Sequence, residues 1–372
     1  MKLQSTPFFA FLLLLGTPLL AQDAPPPVVL EEEETNKSFQ LTGYVDAYYQ
    51  ANFTNSVGED AMPLVFGSSF TDFSNTFGIG NVNLLAEHSF GKVSFVGQIG
   101  FGPRAVAANS DSNLDVGGTN FASTVQQLYV TYSPTEAITF TLGNFGTFIG
   151  YEVIDAPANM NYSMSYLFSN GPFYHTGAKV DVALAEGIGA MIGVFNDTDS
   201  KFDAIAGKHI GGQLSAEAGG LAAYLNAIYG KEQEGFLDDG TADLNEFQVD
   251  LTATLDVSES FMLGLNASSY STSADGAGQG GFVGTALYAT VAATETFDLS
   301  LRSEYFAQTA AEGVDGDQPS VLALTASGNF TVGGLRIIPE LRFDTGSNGF
   351  TFGEEASDDS AFAFLLAGVY AF

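Results

Sequence analysis

The chain has 372 residues, with no Cys, no Trp, 43 Gly, 15 Tyr and 33 Phe, and a formal net charge of −32 from 11 Lys plus Arg against 43 Asp plus Glu. Without cysteine there is no disulfide, no thiolate nucleophile and no Cys-bound metal, and so large an acidic excess lacks the basic footprint that a nucleic-acid partner requires. At 45% hydrophobic residues the chain is not a disordered acidic polymer either.

Met1 to Ala21 has the pattern of a secretory signal peptide. Lys2 supplies the positive start, Phe8 to Leu15 the apolar core, and Pro18 to Ala21 the small-residue exit. The apolar run is too short to cross a bilayer as a helix. Residues 22–38 carry Pro25, Pro26 and Pro27, then Glu31 to Glu34. Such a stretch buries too little apolar surface to offset its ordering entropy, so it reads as a disordered acidic and Pro-rich periplasmic leader.

From Phe39 onward the hydrophobic pattern has a period of two. In residues 39–50, Phe39, Leu41, Val45 and Tyr49 share one face, and Thr42, Tyr44, Asp46 and Gln50 the other. The clearest case is 246–257, where Phe247, Val249, Leu251, Leu255 and Val257 oppose Glu246, Gln248, Asp250, Thr252, Thr254 and Asp256. A helix does not sort residues in this way. A second strand precedes Gly91, but Phe77 and Ile79 are out of phase with Val82 and Leu84, which predicts a bulge near Gly80. Similar alternation recurs near 93–101, 125–132, 138–146, 173–184, 188–195, 209–217, 221–229, 261–270, 283–291, 297–306, 320–330, 335–344 and 361–372.

The connections alternate too. Short ones fall at 91–92, 133–134, 186–187, 219–220, 258–259, 295–296 and 333–334. Between them lie longer Asp- and Gly-rich ones near 54–75, 103–123, 149–171, 198–206, 231–244, 272–281, 310–318 and 346–359. Short turns at one end and long loops at the other mark a bacterial outer-membrane barrel, here of about 16 strands with both termini periplasmic. A barrel of that size leaves an aqueous lumen. The last residues, AFAFLLAGVYAF, put Phe362, Phe364, Leu366, Tyr370 and Phe372 on one face. A terminal Phe with aromatic and apolar residues at alternate positions resembles the signal read by the barrel-assembly machinery, carried here by Tyr370 and Phe372.

The expected fold class is therefore all-β, a transmembrane antiparallel up-and-down barrel over 39–372. Hydrocarbon admits only helices and closed barrels. Mid-strand charges fall opposite the apolar faces, so Asp46, Lys179, Asp181, Asp250, Asp298, Arg302, Glu304, Arg336, Glu340, Arg342 and Asp344 are expected to line the pore and meet water. Inward acids outnumber inward bases, and acidic rings favour cations. The alternative for Arg302, Glu304, Arg336, Glu340 and Arg342 is a mixed ladder that supports the wall.

Residues 143–177 read GNFGTFIGYEVIDAPANMNYSMSYLFSNGPFYHTG. This resembles the β-barrel porins of the OmpL-like type at Gly143, Phe145, Thr147, Gly150, Glu152, Asn161, Tyr162, Ser163, Pro172, His175, Thr176 and Gly177. The resemblance implies a Gram-negative outer-membrane porin. Where that family tends to carry a basic residue after the Asn-Tyr-Ser run, this chain has Met164. The loop's Tyr151, Glu152, Asp155, Asn159, Asn161, Tyr162 and Tyr166 are candidates for a constriction folded into the lumen; the alternative is a surface loop.

Other chemistry is sparse. His88, His175 and His209 stand on different strands with no metal-ligand spacing between them. No metal, cofactor or catalytic residue is expected, and the chain does not read as an enzyme. Asp238, Asp239, Asp243, Asp315, Asp317, Asp358 and Asp359 suit calcium in type but not in spacing, and read as solvated loop tips. The expected function is passive diffusion of small hydrophilic solutes or ions with cation preference. The alternative is a non-conducting structural or adhesion barrel acting through its external loops. The partners expected are outer-membrane lipid, the solutes, the assembly machinery and, by analogy with large porins, a homotrimer.

Overall fold

The computed structural model describes residues 39–54, 68–71, 74–110, 121–203, 207–232, 244–274, 277–352 and 358–372. The signal-peptide and leader assignments, and Asp238 to Asp243, lie outside them.

Sixteen antiparallel strands close into one barrel. They are β1 Gln40–Asn52, β2 Thr76–Phe90, β3 Val93–Phe101, β4 Val125–Thr135, β5 Ile138–Gly146 and β6 Tyr174–Ala185. Next come β7 Ile188–Phe195, β8 His209–Ala218, β9 Leu221–Glu232, β10 Leu244–Ser258 and β11 Phe261–Ala274. The last are β12 Ala277–Thr294, β13 Phe297–Thr309, β14 Ser320–Val332, β15 Leu335–Ser347 and β16 Ser360–Ala371. Each pairs with its sequence neighbours, and β1 pairs with β16. The closing seam is sealed at its end by Gly43 and Phe372, whose N–H groups each donate to the other's carbonyl at 3.0 Å. Closure leaves no edge strand with unpaired backbone groups.

Along every strand one set of side chains faces out and the alternate set faces in. On β13, Leu299, Leu301 and Tyr305 are exposed while Ser300, Arg302, Glu304 and Phe306 are buried. The outer surface has an aliphatic middle, with Leu142, Ile192, Leu214, Leu225, Leu251, Leu287, Leu301, Leu324 and Leu341 all exposed. Aromatic residues flank it. Phe53, Phe77, Phe101, Tyr229, Phe247, Tyr305, Phe343 and Phe362 ring the long-loop end; Phe90, Phe95, Tyr132, Phe140, Phe330, Tyr370 and Phe372 ring the short-turn end. An aliphatic belt between two aromatic girdles matches the profile of a bilayer.

The irregularity expected in the second strand is present. Val45 pairs Val82 but Ala47 pairs Ile79, so Gly80 and Asn81 together oppose Asp46. The bulge resets the phase, and Phe77, Ile79 and Val82 all face out. A Cβ on Gly80 would lie 2.1 Å from Asp46 Oδ2, so only glycine admits the carboxylate there.

Two connections differ from the sequence reading. The expected long loop at 272–281 is instead strand: β11 runs to Ala274 and β12 starts at Ala277. Its Ser, Thr and Gly residues read as loop, but a ladder needs only backbone, and the pairing continues past the apolar belt. The turn expected at 133–134 lies beyond Thr135, which pairs Ile138 across a register shift that absorbs Pro134. Pro339, with no N–H to donate, sits within β15, where pairing with β14 skips from Ser327–Glu340 to Phe330–Ile337.

Candidate functional site: the inward-folded loop and its wall

The longest connection, 147–173, does not leave the barrel. Its root is built by the residues of the 143–177 motif. Thr147 Oγ1 hydrogen-bonds His175 Nε2 at 2.9 Å and accepts the Ile149 N–H at 3.0 Å. Thr176 Oγ1 donates to Asn144 Oδ1 at 2.8 Å. From this root the chain crosses the lumen. The Gly150 N–H donates to Asp250 Oδ1 on β10 at 3.0 Å, and Tyr151 stacks on Tyr288 of β12 with centroids 4.3 Å apart. At the lowest point Asp155 accepts from Tyr44, Gln98 and Gln126 at 2.9–3.0 Å, which ties the loop to β1, β3 and β4.

The chain then climbs the β13–β15 wall toward the long-loop end. Register stacks the wall side chains in three levels. Ser300, Ser327 and Glu340 align, then Arg302, Thr325 and Arg342, then Glu304, Ala323 and Asp344. The small residues of β14 leave space between the charges on either side. Each level grips a different part of the loop backbone. Glu340 accepts the N–H groups of Tyr162 at 2.7 Å and Ser163 at 3.1 Å. Arg302 donates to Ser163 O at 2.6 Å and Met164 O at 3.2 Å, and Arg342 donates to Met164 O at 2.8 Å. Glu304 accepts from Tyr166 N at 2.9 Å and Leu167 N at 2.7 Å, and Tyr166 Oη donates to Asp344 at 2.7 Å. Below these, Arg336 donates to Ala156 O at 2.7 Å and Asn159 O at 2.9 Å. Asn161 Nδ2 donates to Ser327 Oγ at 2.7 Å. An irregular buried backbone has no ladder to satisfy it; here charged wall side chains take that place.

Ion pairs complete the wall. Arg302 Nη1 lies 2.5 Å from Glu152 Oε1 on the loop, and Arg342 Nη2 lies 2.8 Å from Asp344 Oδ2. Arg104 belongs to α1 (Pro103–Asn109), the helix that follows β3. It lies 3.6 Å from Asp46, whose Oδ2 also accepts the Tyr162 hydroxyl at 2.7 Å. Its guanidinium stands over the rings of Phe70 and Tyr162. No motif in the sequence marks Arg104; only the Gly102-Pro103 helix start precedes it. A short helix, α2 (Tyr166–Asn170), ends the climb, capped by Ser165. Desolvation pushes the Asp199 carboxyl up to about 7, although it accepts the N–H groups of Phe173 and Tyr174 where the loop rejoins β6.

The structure therefore separates the wall residues expected to meet water. All face inward. Arg302, Glu304, Glu340, Arg342, Asp344 and Asp46 are buried against the loop or α1 rather than open to the lumen, because the loop backbone needs their donors and acceptors. Asp250 is likewise buried, held by Asn226, Asn266 and Gly150. Lys179 and Asp181, paired at 3.4 Å, together with Asp298 and Arg336, stay partly exposed. Met164 has no free side chain at all: it is fully buried, its carbonyl shared by Arg302 and Arg342. Arg104 Nη1 lies 3.9 Å from Met164 Sδ, so a cation at this position would be forced against three arginines, Arg104, Arg302 and Arg342.

A family model described as "Putative beta-barrel porin-2, OmpL-like" matches residues 38–372, which is the whole barrel. The chain belongs to this family. Among solved structures this porin-family chain is similar to outer-membrane OmpT of Vibrio cholerae. The TM-score is 0.58 at 13% identity, over 92% of this chain and 99% of that one. It is also similar to the outer membrane channel DcaP of Acinetobacter baumannii, with a TM-score of 0.55 at 14% identity over 90% and 97%. OprB of Pseudomonas putida gives 0.56 at 11% identity over 90% and 94%. At these identities the likeness is one of fold. No curated protein sequence matches the chain. Family and lipid-facing belt together make this a porin-type barrel of the bacterial outer membrane.

Proposed function

We propose that this barrel is a passive diffusion channel for small hydrophilic solutes or ions, with a preference for cations, narrowed by the 147–173 loop. The observation that carries the reading is the loop itself. It crosses a sixteen-strand lumen and is anchored at three walls, so it takes up part of the cross-section that a solute would use. The reading needs no covalent chemistry. Cation preference is supported by how the bases are used. Arg104, Arg302 and Arg342 are each buried and paired with a carboxylate, so they present little positive field to a passing ion. Glu87, Glu217 and Asp256 keep some exposure on the inner face, and a surplus of inward acid attracts cations.

In this reading the short turns and both termini are periplasmic, and Tyr370 and Phe372 serve assembly. A homotrimer is part of the same proposal; one of the similar OmpT structures is described as a trimer form. Planar-bilayer recording of the purified barrel tests the function. Discrete ohmic steps and a cation-selective reversal potential in a KCl gradient are expected, with larger conductance after deletion of residues 155–166. A barrel that never conducts, or whose conductance ignores that deletion, overturns it.

A further inference from the structure

Spacing along the chain puts no histidine near a metal-ligand partner, but the barrel brings His209 to two carboxylates. His209 opens β8, Glu246 lies near the start of β10, and Asp197 sits in the connection after β7. Their ligand atoms all lie within 4.8 Å of one another. His209 Nε2 is 3.6 Å from Asp197 Oδ1 and 3.8 Å from Glu246 Oε2. β9 lies between β8 and β10, and a side chain there would block the approach. Register places Gly230 directly opposite Glu246, and a Cβ on Gly230 would fall 1.2 Å from the imidazole Cδ2. The ring lies across the glycine, so the site depends on the absence of one methyl group.

The distances distinguish an ion site from a hydrogen-bonded imidazolium. An N–H donating to a carboxylate settles at about 2.7–2.9 Å. Ligands at about 2.1 Å from a tetrahedral ion stand roughly 3.4 Å apart. The two contacts from Nε2 are near the second spacing and far from the first. Each ligand residue has a neighbouring polar group that fixes its orientation, and Asp197 Oδ1 itself accepts the Thr198 N–H at 2.7 Å. Thr198 Oγ1 lies 3.4 Å from Nδ1, on the side of the ring away from the carboxylates. The Tyr270 hydroxyl donates to Glu246 Oε1 and leaves Oε2 turned to the imidazole. The cluster opens on a cavity of about 540 Å³ at the long-loop mouth, bordered also by Thr198, Asn170 and Gln248. We infer that Asp197, His209 and Glu246 form a binding site for a divalent first-row transition-metal ion of the zinc class, with its open positions facing this cavity. One imidazole and two carboxylates suit such ions rather than calcium or magnesium, which take oxygen alone. The site does not depend on conduction.

The test uses the full-length folded barrel, stripped with chelator and titrated with Zn²⁺ in millimolar Mg²⁺, which occupies unspecific acidic loops. One tight equivalent is expected. His209→Ala and Gly230→Val are expected to weaken it at least tenfold, and Glu246→Gln by less. Heat-modified gel mobility reports whether each variant is folded. X-ray absorption of the zinc-loaded wild type is expected to show a single imidazole in a nitrogen-oxygen shell, a readout that needs no variant. An all-oxygen shell, no tight equivalent, or unchanged affinity in folded His209→Ala overturns the inference.

Discussion

Replacing Arg302 with Met tests the loop anchorage most directly. The substitution keeps the volume near that of the side-chain stem and removes the guanidinium. The bonds lost run to Glu152 at 2.5 Å, Ser163 O at 2.6 Å and Met164 O at 3.2 Å. Glu152 is only 5% exposed, so its charge is stranded. Breaking a buried pair from one side costs about 3–5 kcal/mol. At about 1.4 kcal/mol per decade this moves the docking equilibrium of the loop roughly 150- to 4000-fold. Arg342 still holds Met164 O at 2.8 Å, which favours the lower end. Adding Glu152→Gln removes the stranded charge and should recover part of the loss, with a coupling of at least about 1 kcal/mol in the double-mutant cycle. Hydrogen exchange of the amides of residues 162–167 reads the docked population, and single-channel conductance reads its effect on the lumen. Faster exchange with larger or noisier conductance is expected. Unchanged protection in Arg302→Met, or a double variant that only sums the singles, would mean that Arg302 does not hold the loop in place.

The neighbouring position gives the opposite result. Leu301 is 48% exposed on the outer face, and Leu301→Arg should cost about 2–4 kcal/mol near the bilayer midplane, seen as lost refolding yield in liposomes. Wild-type refolding yield in Leu301→Arg would show that this position does not meet hydrocarbon. Gly80→Val drives a Cβ into Asp46, which receives Asn81 N at 2.6 Å and the Tyr162 hydroxyl at 2.7 Å. A loss of at least about 2 kcal/mol in unfolding free energy is expected; wild-type stability would show that the bulge can relax. Deleting Phe372 removes the paired 3.0 Å bonds with Gly43 at the seam. Slower membrane assembly in cells is expected, with a smaller effect on refolding in detergent; no change in either would deny the residue any part in closure.

Much of the barrel was legible because a strand writes its two environments into alternate residues. The run from Glu246 to Val257 and the phase break at Gly80 could be read without coordinates, and both gave correct local structure. Phase alone also placed Arg302, Glu304, Glu340, Arg342 and Asp344 inside. Where it failed was in what those residues meet. Period two reports which way a side chain points, not what stands opposite. The wall charges read as water-lining are consumed by the backbone of a loop far away in sequence. Composition misled at 272–281, since its Gly residues, poor strand formers on average, and its Ser and Thr still continue the ladder through their backbone once β11 and β12 are paired.

The sheet, its facing and its aromatic margins are written in the order of residues alone, because they follow from one- and two-residue spacing against a lipid solvent. Which charges are buried, how Arg302 and Arg342 come level across Thr325, and that His209 meets Glu246 over Gly230 emerge only in the closed barrel. Those juxtapositions depend on register between strands, and register is set by the closing of the whole barrel rather than by any segment within it.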